Sequence, residues 1–408
     1  MSNKVVYATN YSVSNSIAME AYIVAGYRTA VGKAKRGGFR FYRPDDLAIE
    51  VIKGLMSSIP QLEPGRVDDV VVGNAVPEAE QGLQVGRIIA ARALGIATPG
   101  MTVNRYCASG LETIAIASAK IRSGMADCII AGGTESMSLV PASGWKTVPS
   151  YSIASDAPDY YLNMGLTAEA VAKDFNINRQ AQDEFSYNSH RKAIEAISKG
   201  YFKEGILPID VEEIYLDEKG KKQKRSFVVD TDEGPRADTS LEALNKLKPV
   251  FAAGGSVTAG NASQTSDGAA FVVVMSEKLM NELQLQPIGR LVASAVAGVD
   301  PRIMGIGPVA AIPKALKQAG KNLSDIDLIE LNEAFASQAL AVIQEAKLDP
   351  EKVNINGGAI ALGHPLGCTG TKLTIQVLGD LKRLDKKYGM VTACVGGGQG
   401  IAGIIERL

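Results

Sequence analysis

The chain has 408 residues, 46% of them apolar and 21% charged, with a formal net charge of −1. That length can bury more than one core. The near-neutral balance argues against a general nucleic-acid binder, which would carry a basic domain or stripe. No run of 18 apolar residues is present, so no membrane span is expected. Four cysteines form no disulfide framework and no paired Cys-x-x-Cys site, which points to a reducing compartment. Met1–Tyr7 lacks the basic-then-apolar order of a signal peptide. Glu406–Leu408 carries no lipidation or peroxisomal tripeptide, and a cytoplasmic location is the expectation.

In chain order, a first strand is expected near Ala21–Val24 and an apolar strand at Val70–Gly73, followed by Asn74. Further on, Cys107 stands directly before a helical pattern, Gly110–Ile121. The run Asp127–Ala131 then reads as a strand ending in Gly132-Gly133. From about Val140 to Thr258 the pattern changes. Leu166–Ala172 and Arg179–Phe185 read as helices with Thr167 and Asn178 as N-caps. Ile206–Ile214 reads as extended, and the basic Lys219–Arg225 as a hairpin or exposed loop.

The first plan then recurs. A strand at Asp327–Leu331 leads to Asn332, and His364 later precedes a helix at Thr371–Leu378. The interval from Asn332 to His364 nearly equals that from Asn74 to Cys107. A strand at Met390–Ala393 reaches Cys394 and Gly396-Gly397-Gly398. The expected fold is therefore α/β, with two similar halves facing each other and the middle segment inserted in the first.

Three residues on tight turns invite covalent sulfur chemistry. Cys107 stands at a helix N-terminus, whose free N–H groups and field favour a thiolate and can lower its pKa. Gly110 would let the backbone come close to a bound group. A buried small hydrophobe is an equally good account of Cys107 alone. His364 is one of only two histidines; on its glycine-rich loop it could take a thiol proton or donate to a developing oxyanion. The glycines after Cys394 suit an anion nest or a plain turn. Cys128, Cys368 and His190 are explained by packing, and no cluster suggests a metal site.

Four motifs, in this order, carry a resemblance to a known family: Asn104-Arg105-Tyr106-Cys107-Ala108-Ser109-Gly110, Asn332-Glu333-Ala334-Phe335-Ala336, Asn356–Gly370, and Cys394–Gly400. Over most of its length the chain resembles the thiolases, the acetyl-CoA acyltransferases. The resemblance implies two βαβαβαββ cores in α-β-α-β-α layers. It places the first core at 20–139 and 259–280, an inserted α+β loop domain for CoA at 140–258, and the second core at 281–408. It implies that Cys107 carries the acyl group and that His364 activates it and helps to form an oxyanion hole. Asn332 would hold a water that completes that hole, and the N–H groups of Cys107 and Gly396 would form a second. Cys394 would move the α-carbon proton.

Ser263 is similar to the family serine that bonds pantetheine, Met164 and Met304 to methionines of the acyl pocket, and Phe251 is a candidate for the pantetheine channel. No permanently bound cofactor is implied; coenzyme A and acyl-CoA enter as substrates. Asn163 stands where acetoacetyl-specific members often carry histidine. That favours a degradative 3-ketoacyl-CoA thiolase over the alternative, an acetoacetyl-CoA thiolase condensing two acetyl-CoA. A homodimer or homotetramer, and association with a β-oxidation hydratase/dehydrogenase, are further implications of the resemblance. Lys219–Arg225 could meet the nucleotide phosphates but reads more simply as a solvated loop.

Overall fold

The computed structural model describes residues 19–408; Met1–Tyr7 and the rest of the segment before Met19 lie outside the described residues. The strands among them are β1 (Ala21–Arg28), β2 (Gly32–Lys33), β3 (Asp69–Gly73), β4 (Gly100–Val103), β5 (Cys128–Ser136) and β6 (Ile209–Leu216), then β7 (Lys222–Val229), β8 (Ser266–Ser276), β9 (Gly289–Gly298), β10 (Leu328–Leu331), β11 (Tyr388–Val395) and β12 (Gln399–Arg407). The longer helices, in order, are α1 (Pro44–Ser58), α2 (Val85–Leu94), α3 (Ser109–Arg122), α4 (Met164–Asp174), α5 (Arg179–Ser198), α6 (Gly307–Ala319), α7 (Ala336–Glu345) and α8 (Thr369–Arg383).

The strands order as β4-β3-β5-β8-β1 and β9-β12-β11-β10, and the two sets meet at one residue pair, Ile23 with Gly289. Each set repeats one ladder pattern. β3 runs parallel to β4 and β5, and β8 is antiparallel to both β5 and β1. Correspondingly β10 runs parallel to β11, and β12 is antiparallel to both β11 and β9. The second set departs at its edge, where the counterpart of β4 shrinks to a single parallel bridge between Ile329 and Val353.

Continuous apolar strands need cover on both faces. Helices α1 and α2 cover one face of the first sheet, and α6 and α7 cover the outer face of the second. Leu111, Ile114, Ala117 and Ile121 of α3 and Leu373, Val377 and Leu381 of α8 are buried together between the sheets. The result is α-β-α-β-α layering, as the resemblance implies.

The two central helices start back to back. A Cβ on Gly110 would lie 2.7 Å from Thr371 N, and one on Gly370 would lie 2.2 Å from Leu111 N. Gly110 therefore serves the approach of α8, not of a bound group, which corrects the expectation above. Both N-termini consequently open onto the same region.

The middle segment supplies α4, α5 and the β6–β7 hairpin; its turn, 217–221, overlaps the start of the basic run, and the rest of that run, Lys222–Arg225, begins β7. Asn178 caps α5 by accepting from Ala181 N–H at 2.9 Å. Thr167 caps nothing: α4 begins earlier, at Met164, where Asn163 accepts from Gly165 N–H at 2.8 Å. The Thr167 hydroxyl instead donates to the Met164 carbonyl at 2.7 Å, satisfied inside the helix.

Candidate active site

Cys107 lies in the 3-10 turn Tyr106–Ala108 that feeds α3. The turn is held at both ends. Asn104 accepts from Tyr106 N–H at 2.8 Å, and Ser109 Oγ accepts from Arg105 N–H at 2.9 Å while donating to the Tyr106 carbonyl at 2.7 Å. Tyr106 adopts φ 43°, a left-handed conformation that these bonds must sustain.

Burial dominates the thiol and pushes its pKa up to about 12. The N–H groups of Cys107 and Gly396 act in the opposite direction without overcoming it. The expectation of a lowered pKa is thus corrected: desolvation outweighs the helix N-terminus. At rest Cys107 is therefore a neutral thiol, and to act as a nucleophile it would need a base.

His364 is buried and neutral; desolvation, reinforced by the Lys372 charge, takes it down to about 3. Its ring is held at both nitrogens, with Nδ1 2.6 Å from Thr369 Oγ1 and Nε2 3.3 Å from Asn332 Nδ2. The Thr369 hydroxyl donates to the Pro365 carbonyl at 2.9 Å. Its oxygen must then accept from Nδ1–H, which leaves the lone pair on Nε2. That tautomer is a base facing Asn332.

Asn332 follows β10, and its Oδ1 is buried and accepts from no protein group. The next residue, Glu333, is also buried. It accepts from Ser189 Oγ at 2.7 Å, Asn354 Nδ2 at 2.8 Å and Ile360 N–H at 3.2 Å. These bonds tie the Asn332–Ala336 segment to the loop leading to His364. Burial raises the Glu333 pKa.

Cys394, next to last in β11, is fully buried in an apolar cluster with Ala168, Val257, Met304, Ala334 and Phe335. Burial pushes its thiol well up, and the neighbouring Cys107 pushes it further, so the two sulfurs share one environment. The hairpin beyond it turns through Gly397 and Gly398, both near φ 80°. A Cβ on Gly396 would sit 3.5 Å from the Tyr106 ring and 3.6 Å from Met164 Sδ. Gly396 therefore faces the Cys107 turn.

The four residues expected to meet CoA surround this centre at different depths. Met304 is buried beside Cys394, whereas Met164 opens α4 half exposed. Phe251 lies over Gly165 and meets Phe335 edge to face at 6.2 Å. Ser263 donates its N–H to the Ala334 carbonyl at 2.9 Å, which pins it beside the Asn332 segment. In the Lys219–Arg225 run, Lys224 is paired to Glu212 and Arg225 to Glu213. Two clefts of about 300 and 280 Å³, both lined by Gly200 and Phe202, contain none of these residues. Among the described residues no acidic, histidine or cysteine cluster could hold a metal ion.

Sequence reasoning missed Glu135 and Thr369. Glu135 is buried on β5 and accepts from Ala75 N–H and Gly367 N–H, each at 2.8 Å, and from Gln81 Nε2 at 2.7 Å. It anchors the His364–Thr369 loop to the first half of the chain. Glu135 gave a signal only as an acid closing an apolar strand, and its partners are far away in sequence. Thr369 could have been found as the hydroxyl that opens α8, one turn beyond His364.

Comparison with known proteins agrees with this geometry. Residues 21–278 match the thiolase N-terminal domain and residues 285–407 the thiolase C-terminal domain. The chain is 51% identical to the 3-ketoacyl-CoA thiolase of Bacillus subtilis (strain 168), covering 95% of this chain and 99% of that protein. It is 44% identical to the peroxisomal 3-ketoacyl-CoA thiolase A of Mus musculus, covering 95% and 91%. The crystal structure of the Bacillus anthracis acetyl-CoA acetyltransferase superposes with a TM-score of 0.86 at 38% identity, covering 96% of this chain and 99% of that one. With both domain models matched along nearly the whole described chain, and a site assembled from both halves, this protein belongs to the thiolase family.

Proposed function

We propose that the protein is a 3-ketoacyl-CoA thiolase, cleaving a 3-oxoacyl-CoA with CoA to acetyl-CoA and a shortened acyl-CoA. The observation that carries this reading is a pair of thiols in one environment, Cys107 half-buried and Cys394 buried, with a neutral imidazole, its lone pair on Nε2, on the loop that packs against the Cys107 turn. A thiol near 12 and an imidazole near 3 form no stable ion pair at rest. Proton transfer to Nε2 is therefore coupled to attack, and charge appears only when a carbonyl is in place.

The Cys107 sulfur bonds to the 3-keto carbon as its proton passes to His364 Nε2. The alkoxide faces the N–H groups of Cys107 and Gly396. Collapse breaks the C2–C3 bond and sends the electron pair into an acetyl-CoA enolate. The new Nε2–H of His364, with a water on Asn332, stabilises that enolate oxygen; such donors contribute about 2.7–4 kcal/mol each. Cys394 gives its proton to C2, and acetyl-CoA leaves. The Cys394 thiolate then takes the proton of the second CoA thiol, which attacks the acyl thioester. Cys107 departs and recovers its proton from His364. A thioester keeps the acyl group activated throughout.

The CoA-facing surface is assigned to the 140–258 insert and the segment after it, through Met164, Phe251 and Ser263, with Met304 on the acyl side. The cores are read as 20–139 with 259–280, and 281–408; the matched domain limits, 21–278 and 285–407, support the division between halves. A homo-oligomer is favoured by the edge of β4, unpaired among the described residues, and by Leu83 and Ile96, which are 91% and 87% exposed. No helix among the described residues is long and apolar enough to cross a membrane. The four free cysteines suit the cytoplasm.

A second reading, condensation of two acetyl-CoA, is favoured by the likeness to the Bacillus anthracis acetyl-CoA acetyltransferase. Cleavage rates for acetoacetyl-CoA and a medium-chain 3-oxoacyl-CoA, with free CoA present, separate the two. Efficient cleavage of the medium-chain ester is expected. Use of the four-carbon ester alone would establish the second reading, and no cleavage of either would end both.

A further inference from the structure

The N–H groups of Cys107 and Gly396 belong to segments from opposite halves of the chain, yet they must aim at one oxygen. Something has to hold the two segments in register. Among the described residues one side-chain-to-side-chain hydrogen bond joins residues 104–109 to residues 394–400: Arg105 Nη1 donates to Gln399 Oε1 at 3.0 Å. The other edge of the same guanidinium is fixed on α3, with Nε to Glu112 Oε2 at 2.9 Å and Nη2 to Glu112 Oε1 at 3.3 Å.

Both ends of this strut are stiff. Gln399 closes the glycine hairpin opposite Val395 and pairs on its other side with Gly298 of β9. Glu112 lies in the first turn of α3, the helix that Cys107 introduces. The Arg105 N–H is itself held by Ser109. A planar fork with donors on two edges can make this pair of contacts at once; an ammonium on a flexible stem cannot reproduce it. Glu112 balances the charge, so the contribution is geometric and not a field on the sulfur.

We propose that Arg105 is a positioning residue for thiolysis: by bridging Glu112 and Gln399 it sets the spacing between the two N–H donors of the Cys107–Gly396 oxyanion hole. The proposal rests on the thiolase reading above. The bridge acts only where the alkoxide forms, so its loss should slow chemistry more than it weakens binding.

The test compares wild type with Arg105→Met, Arg105→Lys, Gln399→Ala and Gln399→Glu, using acetoacetyl-CoA, a medium-chain 3-oxoacyl-CoA and free CoA. Active sites are counted by iodoacetamide titration of Cys107, so that misfolded protein is excluded from kcat. Arg105→Met and Gln399→Ala should each lower kcat per titrated site by roughly ten- to a hundredfold, the scale of a misplaced catalytic group, with KM changed less than threefold. Arg105→Lys should recover only part of the loss, and Gln399→Glu, which still accepts from the guanidinium, most of the activity. Unchanged kcat per site in both Arg105→Met and Gln399→Ala would overturn the proposal even if the melting temperature fell. A wild type that cleaves neither ester would refute the thiolase reading instead, so the two failures are distinguishable.

Discussion

At the ends of β3 and β10 the two halves place an asparagine in the same position: Asn74 follows Gly73, and Asn332 follows Leu331. In the neighbouring strand the match continues. Gly73 pairs with Gly133 and Leu331 with Thr392, so Glu135 and Cys394, each two positions further on, are counterparts. Helices α3 and α8 then begin with counterpart hydroxyls, Ser109 and Thr369. The chemistry placed on this shared frame differs sharply. In the first half a buried carboxylate gathers Ala75 N–H, Gln81, Asn74 and Gly367 N–H, and the space is filled by protein. In the second half the same place holds an uncharged thiol among apolar side chains. The repeat supplies two equivalent positions; one is an anchor, and on the proposed function the other is a place for substrate.

Replacing the counterpart thiol should have the largest effect. Cys394→Ala is expected to lower turnover by roughly 10³-fold, within the range for a positioned acid–base group. Cys107 should still accept an acetyl group from acetyl-CoA, though more slowly, because Cys394 is not the attacking sulfur and only protonates the departing CoA thiolate. Intact-mass measurement after mixing with acetyl-CoA checks the second point, and steady-state cleavage the first. Normal turnover would show that the thiol at this position is as inert as Cys128.

The counterpart hydroxyls give a smaller and more specific test. Ser109 braces the Cys107 turn, whereas Thr369 holds a ring tautomer. Thr369→Val leaves the buried Nδ1–H without its acceptor, at a cost of about 1–3 kcal/mol. A fall in kcat of roughly five- to a hundredfold is expected, with Thr369→Ser restoring it. The pH profile carries the sign. With His364 held near 3, the base stays neutral as pH falls through 6.5, so wild-type kcat/KM should show no acid limb there. An acid limb near 6.5 in wild type would place the proton on an ordinary solvated imidazole.

Much of this was legible in the sequence because the repeat is written in local signals. Apolar strands, helix starts and the Asn-to-reactive-residue spacings identified both halves, and the scarcity of histidine singled out His364. The strand counterpart at Val353 was not legible, since a one-residue bridge leaves no run to read. The direction of the Cys107 pKa failed for a different reason: a helix N-terminus is visible locally, whereas desolvation depends on the whole enclosure. Gly110 failed the same way, because its neighbour Thr371 comes from the other half. Thr167 failed by a small margin, as Asn163 competes for the same role with better placement. Asn74, Ala75, Gln81 and Gly367, the partners of Glu135, all stand far from it along the chain, beyond any local pattern.

That anchor gives the smallest expected effect on chemistry and the clearest effect on folding. All the neighbours hydrogen-bonded to Glu135 are donors, so the shell holds a carboxylate even though burial raises its pKa. Glu135→Gln keeps the volume and turns one acceptor edge into an NH₂. One or more buried donors then lose their partner, at about 1–3 kcal/mol each. Denaturant unfolding should show that loss, while Cys107 in the folded fraction still reacts with iodoacetamide at close to the wild-type rate. The reverse pattern, full stability with a large fall in turnover, would mean that the first half's carboxylate takes part in proton transfer as its counterpart Cys394 does. The two halves would then differ in residue type but not in role, and the division between anchor and reactive site would have to be given up.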